Sequence, residues 1–154
     1  DAQFLADYLR AEYQYTKVLT GQPPSIKSLA YLLGLILNET KYMPFYVQLL
    51  LGGYDYYEGP KLYAIELFGD VTEEEYTATG SGSPIAIGVI EASYRKDMSV
   101  EDAVKLAAKA VAAATMRDAF SGEGVDVVVL GRNEYREISF DWPDVKKILQ
   151  ERFA

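Results

Sequence analysis

Apolar positions recur at two different periods along the 154 residues, and the changes of period divide the chain into elements. Phe4, Tyr8, Ala11, Tyr15 and Val18 repeat at helical spacing, with Leu5 and Leu9 beside them. Gly21 follows, a residue suited to the position just past a helix end. After the connector Gln22-Pro23-Pro24, Ser25 can cap a second helix with Leu29, Leu32, Leu33, Ile36 and Leu37 as its core residues. So short a connection makes the two helices antiparallel neighbours. The period then shortens. Residues 45–51 and 61–67 read as two strands, separated by punctuation at Gly52-Gly53 and Glu58-Gly59-Pro60. Residues 75–79 read as a third, more polar strand. Next comes Gly80-Ser81-Gly82-Ser83-Pro84, where Pro84 suits a first helical position and Ser83 its cap. A helix continues through Ile87, Ile90 and Tyr94.

The stretch from residue 99 to residue 130 organises the rest. Ser99 can cap a helix, and Asp102 sits where a capping box places its acid. Val100, Ala103, Val104, Ala107, Ala108, Val111 and Ala114 form one apolar stripe. Continued, the stripe reaches Asp118, and Ser121, Gly122 and Gly124 follow at once. Residues 125–130 are a short apolar run suited to a strand covered on both faces. A carboxylate aimed inward needs partners, because an unpaired buried charge is expensive. One reading is an Asp satisfied by the turn that follows it; the other is a functional acid. Residues 131–134 form a hairpin turn, 135–140 a strand, and a last helix begins at Pro143 with Val145, Ile148 and Leu149 apolar. No linker or repeat interrupts residues 1–154, which read as one domain. The order is two helices, three strands, two helices, two strands and one helix, a segregation that points to an α+β layered protein.

Composition narrows the chemistry. The formal charge of −8 argues against nucleic acid and anionic membranes as partners. No stretch approaches the roughly 20 apolar residues of a spanning helix. The 13 tyrosines suit contacts that are apolar at one end and wet at the other, as at subunit interfaces. The chain has neither cysteine nor histidine, which removes disulfides, thiol chemistry, histidine-based triads and the usual zinc sites. Chemistry, if present, runs on hydroxyls, carboxylates, amines or a terminal amino group. No metal or cofactor is expected from the residues. The chain also lacks an initiator Met and opens on a helical pattern, as a processed, truncated or partly represented polypeptide does.

Two stretches carry candidate chemistry. The 80–84 segment joins a strand to a helix start, so its N–H groups could hold an anion or simply turn and cap the chain. It lacks the Gly-Lys-Ser/Thr ending of a phosphate-binding loop. Asp118 and Ser121 are three residues apart and can point to one place across a turn. With Ser81 they form two hydroxyls and one acid able to orient an amine or relay a proton to it. They do not make an activated nucleophile, since neither serine has a base beside it in sequence. Glu73-Glu74-Glu75 reads as a solvated turn.

Several blocks, in order and at family spacing, give this chain a further meaning. They are residues 1–6, 44–55, 78–83, 88–91, 117–122 and 124–129, among them Ala78-Thr79-Gly80-Ser81-Gly82-Ser83 and Arg117-Asp118-Ala119-Phe120-Ser121-Gly122. Together the chain resembles a proteasome β-type subunit of archaeal character, over nearly its whole length. The resemblance implies the four-layer αββα sandwich of N-terminal-nucleophile hydrolases. It implies a threonine-type endopeptidase that degrades unfolded polypeptide in a cytoplasmic chamber of stacked rings, with other β-type and α-type subunits as partners. The family's nucleophile is the hydroxyl of a mature N-terminal threonine whose own amine moves the proton. By this resemblance Asp118 and Ser121 hold and tune that amine, and Ser81 completes the network. Glu66 falls where the family often places an acid lining a neighbour's substrate pocket, commonly Asp. The backbone around Thr115, Asp118 and Ser121 resembles a place where some members hold a cation.

The chain opens where the family's first long helix opens. The resemblance therefore implies that the leading strands, with the terminal threonine and its accompanying acid and lysine, are missing here. Thr16, Thr20, Thr40, Thr72, Thr77, Thr79 and Thr115 are internal and carry no free amine. The expectation is a chain inactive by itself, belonging to a peptidase when whole. The competing expectation is a non-catalytic ring or assembly subunit that keeps only the fold and the interfaces.

Overall fold

A left-handed glycine and two serine caps set the helix boundaries. The computed structural model describes residues 1–122 and 124–150, and its contacts divide into two compact units, Asp1–Thr77 and Ala78–Ala154. In the first unit, α1 (Ala2–Thr20) stops at Gly21, whose φ of 74° brings its N–H onto the Lys17 carbonyl. Helix α2 (Ile26–Glu39) starts at Ser25, whose Oγ accepts the Ser28 N–H at 3.0 Å. Strands β1 (Leu49–Asp55), β2 (Gly59–Ile65) and β3 (Val71–Glu73) pair antiparallel in that order, with Leu51 opposite Tyr63 and Ile65 opposite Val71. Leu5, Ala30, Leu33, Leu37, Tyr63 and Ile65 form the core between the helices and this sheet.

Several expectations for this unit are corrected. The α1 stripe faces the wrong way: Phe4, Tyr8, Tyr15 and Val18 are exposed, while the adjacent Leu5 is buried and Leu9 packs against the core. Strand β1 begins at residue 49 and runs through Gly52-Gly53 instead of ending there. A Cβ on Gly53 would lie 2.7 Å from the tip of the Ile26 side chain at the start of α2, a close backbone approach within the strand rather than a break in it. The third strand is 71–73, not 75–79. The Glu66 N–H bonds the Asp70 carbonyl across a tight turn, so pairing resumes at once, and after β3 the Glu74 N–H reaches the Leu62 carbonyl. Glu73 is more than a solvated residue. It accepts from Lys61 Nζ at 2.7 Å and from the phenol of buried Tyr63 at 3.3 Å. The lysine holds Glu73 below the usual carboxylate range, while burial, reinforced by Glu73, pushes the Tyr63 phenol up.

The buried carboxylate of this unit is Asp55. Its Oδ2 accepts the Ile26 N–H at 3.1 Å, and its Oδ1 accepts those of Tyr57 and Glu58 at 2.9 and 3.2 Å. One side chain thus closes the β1–β2 hairpin and satisfies an orphan donor in the first turn of α2.

The second unit contains α3 (Ser83–Ser93), α4 (Val100–Thr115), β4 (Val125–Leu130), β5 (Tyr135–Phe140) and α5 (Trp142–Gln150). Ser99 caps α4, its Oγ accepting the Asp102 N–H at 3.1 Å and donating to Asp102 Oδ2 at 2.8 Å. Helix α4 is packed on two sides. Val104, Ala108 and Ala112 meet Val125, Val127 and Val145, whereas Ala110 and Ala114 meet Ala86 of α3. The single stripe expected is therefore half right: Val104, Ala108 and Ala114 are buried, Val100 and Val111 are exposed, and Leu106, Ala110 and Ala112 are buried as well. β4 and β5 pair antiparallel in full register, Val125 opposite Phe140 through Leu130 opposite Tyr135. β4 is covered on one face only, with Val128 and Leu130 half-exposed. α3 starts one residue earlier than expected: Gly82 occupies the cap position and Ser83 is already helical. Mixed helices and antiparallel strands make the chain α+β. No described helix is long and apolar enough to cross a membrane.

Candidate functional site

Three side chains meet in the second unit. Ser81 comes from the turn before α3. Asp118 and Ser121 come from the segment after α4. The Asp118 N–H bonds the Ala114 carbonyl at 2.8 Å, so the acid is placed by a continuation of the α4 hydrogen-bond ladder. The Ser121 N–H returns to the Asp118 carbonyl at 3.3 Å, folding the chain back over the acid. On the opposite side, Gly80 takes a φ of 96° with nothing within 4 Å of a hypothetical Cβ, so it is glycine for its backbone angle. The Ser83 N–H closes this turn on the Gly80 carbonyl.

Both hydroxyls donate to the same atom. Ser81 Oγ and Ser121 Oγ each lie 2.6 Å from Asp118 Oδ2, and neither uses Oδ1. These are short, charge-assisted hydrogen bonds. The Ser121 hydroxyl, the Ser81 hydroxyl and the Phe120 N–H hold the Asp118 carboxyl below its usual range, against a smaller opposing effect of burial. The acid is therefore ionised at neutral pH. It is half-buried, while Ser81 is exposed. An anion near the surface, with its geometry fixed by two donors, can hold an ammonium or stabilise one as it forms.

The trio sits apart from a hollow elsewhere in the unit. That cavity, of about 780 Å³, lies between α4 and β5 and is lined by Met98, Glu101, Lys105, Ile138 and Phe140 among others, with none of the three site residues. The Thr115 hydroxyl donates to the Val111 carbonyl of its own helix at 2.9 Å. Among the described residues, no group of three or more carboxylates is arranged to hold a metal ion. Glu66 belongs to the first unit, where it follows β2 in an exposed position and accepts from Gln48 Nε2 at 2.6 Å.

Sequence reasoning missed Gly82. It is buried, and a Cβ there would approach Ala114 Cβ to 2.9 Å, Ser121 Oγ to 3.1 Å and Asp118 Oδ2 to 3.5 Å. The Gly-Ser-Gly spelling signals a turn and says nothing of which helix end the turn lies against.

Comparison with known proteins places these observations. A family model described as "Proteasome subunit" matches residues 1–130. The "Proteasome subunit beta 2" of Hyperthermus butylicus is 52% identical over 147 residues, covering 96% of this chain and 68% of the relative. The "Proteasome subunit beta 2" of Aeropyrum pernix is 51% identical, over 89% of this chain and 62% of the relative. That of Staphylothermus marinus is 53% identical, over 89% and 66%. The chain thus spans about two thirds of the length of the relatives it matches.

Proposed function

Because the chain belongs to the proteasome subunit family, we propose that it is a β subunit of a proteasome core particle and that Ser81, Asp118 and Ser121 support a threonine-type peptidase centre. The observation that carries the catalytic half is the donation of two serine hydroxyls to one Asp118 oxygen. Where buried Asp55 is held by backbone N–H groups, Asp118 is held by two side-chain hydroxyls, one of them on an exposed serine, which supports a role beyond architecture.

The chemistry follows from what the chain lacks. With no histidine, a hydroxyl nucleophile needs another base. The α-amine of an N-terminal threonine serves, taking the proton of its own hydroxyl as that oxygen attacks a peptide carbonyl. The amine becomes an ammonium in that step. Asp118, kept ionised by its two serines, stabilises the positive charge and fixes the amine's position. The proton then passes from the ammonium to the leaving amine of the substrate. None of the internal threonines has the free amine this requires, so the 154 residues alone are inactive, and activity belongs to the whole polypeptide.

On this reading residues 1–154 form a single β-type domain within a four-layer αββα sandwich completed by leading strands. Each unit described has helices on one face of its sheet, and the half-exposed Val128 and Leu130 support a further apolar layer on β4. Neighbouring β-type subunits, α-type subunits and unfolded polypeptide are the partners, in the cytoplasm. Glu66, held by Gln48, lines a substrate pocket and biases the residues accepted there.

The test is the mass and first residue of the mature full-length subunit, with peptidase assays of its assembled particle. A threonine exposed at the N-terminus, with activity lost in Asp118→Asn, supports the proposal. A mature subunit without that threonine, or turnover unchanged in Asp118→Asn, overturns it in favour of a structural ring subunit.

A further inference from the structure

The turn before α3 contains two glycines, and they are glycines for different reasons. Gly80 needs its left-handed φ of 96°. Gly82 does not: its φ of −84° and ψ of −1° are open to any residue, so its backbone angle does not explain it. Space does. Gly82 is buried, and the nearest atom to a Cβ there is Ala114 Cβ at 2.9 Å. That methyl is fixed to the last turn of α4 and cannot swing away. The next nearest atoms are Ser121 Oγ at 3.1 Å and Asp118 Oδ2 at 3.5 Å, both members of the trio. The pair Gly82–Ala114 is thus the point where the turn carrying Ser81 touches the helix end carrying Asp118.

We infer that Gly82 is a positioning residue of the site: its missing side chain lets the Ser81 turn seat against Ala114, and only at that approach do both serine hydroxyls reach one Asp118 oxygen. The inference rests on the peptidase reading above for its functional consequence, and on the contact geometry alone for its structural one. A methyl at position 82 drives the turn off α4 by several tenths of an ångström or more. The Ser81–Asp118 bond, 2.6 Å long, is the one that spans the gap and is the first to lengthen. Asp118 then keeps the Ser121 donor and loses the Ser81 donor.

The experiment uses the full-length subunit in its assembled particle, as Gly82→Ala and as the double variant Gly82→Ala/Ala114→Gly, which removes the opposing methyl. In Gly82→Ala, kcat falls by about tenfold or more while KM stays within about twofold, because a misplaced group costs the reaction step more than binding. The acid limb that Asp118 adds to the pH–kcat profile, below the limb of the α-amine base, moves up as Asp118 loses a donor. A crystal structure of the variant shows Ser81 Oγ beyond hydrogen-bond reach of Asp118 Oδ2. The double variant recovers most of the lost kcat and the original acid limb. Three results overturn the inference: kcat and acid limb unchanged in Gly82→Ala; a loss of kcat without movement of the limb and without rescue by Ala114→Gly; or an intact Ser81–Asp118 bond in the variant. If Gly82→Ala does not assemble, the double variant decides, its assembly with normal turnover supporting the inference and its failure refuting it. Asp118→Asn separates the two levels. Loss of activity there with Gly82→Ala unaffected removes only the Gly82 inference. Full activity there removes the peptidase role of the trio, and the variant crystal structure still decides the contact.

Discussion

Asp55 and Asp118 are both held below the ordinary carboxylate range, by different donors and to different ends. Asp55 receives three backbone N–H groups and is 6% exposed, so its bonds are architectural. Removing it in Asp55→Ala leaves those donors without their acceptor and costs about 1–3 kcal/mol in urea unfolding at neutral pH. Its folded pKa lies below the unfolded value of 3.8, so its contribution is present above that value and is lost as pH falls through the folded pKa. The difference between wild type and Asp55→Ala therefore shrinks on acidification. Asp118 is fixed mainly by two side-chain hydroxyls, one of them on an exposed serine, and on the proposed function a change there alters reactivity more than folding. On the proposed function, its depressed pKa keeps Asp118 charged across neutrality, so the pH dependence nearest neutrality belongs to the α-amine base and protonation of Asp118 adds a separate acid limb at lower pH. Ser121→Ala removes the largest influence holding the pKa down and moves the acid limb of the pH–kcat profile upward. An unmoved limb would contradict the assignment of that limb to Asp118.

At the scale of elements, α4 shows how far a one-dimensional pattern reaches. Its start was legible because a cap is local: Ser99 and Asp102 are three residues apart and bond each other. Its packing was not, because an alanine-rich helix has the same spelling on every face, and here two faces are used. α1 fails in the opposite sense. Phe4, Tyr8, Tyr15 and Val18 form a convincing apolar stripe, but the chain's own core takes the neighbouring Leu5 and Leu9. Gly53 sits within a strand that glycine usually interrupts, and the nearest neighbour to a Cβ there, the tip of the Ile26 side chain, comes from a residue on α2 that no local pattern points to. Within the site, the Asp118–Ser121 pair could be read from its spacing. Ser81 could be named as a second hydroxyl for the same task but not placed beside the pair, since no local rule links residues 37 apart. The two-sided seat of α4 has a measurable consequence. Ala108→Leu and Ala110→Leu each overpack a seam and cost about 1–3 kcal/mol in thermal or urea unfolding. Val111→Ser, on an exposed position, changes stability by no more than about 0.5 kcal/mol.

For the whole molecule, the balance of surface chemistry sets its solution behaviour. Large apolar side chains lie exposed over much of the chain, including Phe4, Tyr15, Tyr42, Met43, Tyr46 and Phe120. Such surface favours association. The net charge of −8 opposes association between copies, and salt screens that repulsion. Sedimentation velocity of the 154-residue chain accordingly shows self-association that strengthens as ionic strength rises. Association that weakened with salt would place ion pairs, rather than apolar contacts, at its centre.

The attachment of Asp118 to the molecule has a consequence for heat. The acid continues α4 through a single backbone bond to Ala114, beyond the regular end of the helix at Thr115. Helix ends fray at lower free-energy cost than helix middles. Warming therefore loosens the segment beyond Thr115 while the strands and the alanine seams are still intact. On the proposed function, thermal inactivation of the particle precedes its cooperative melting, and the interval between the two temperatures measures how firmly the segment after Thr115 is tethered.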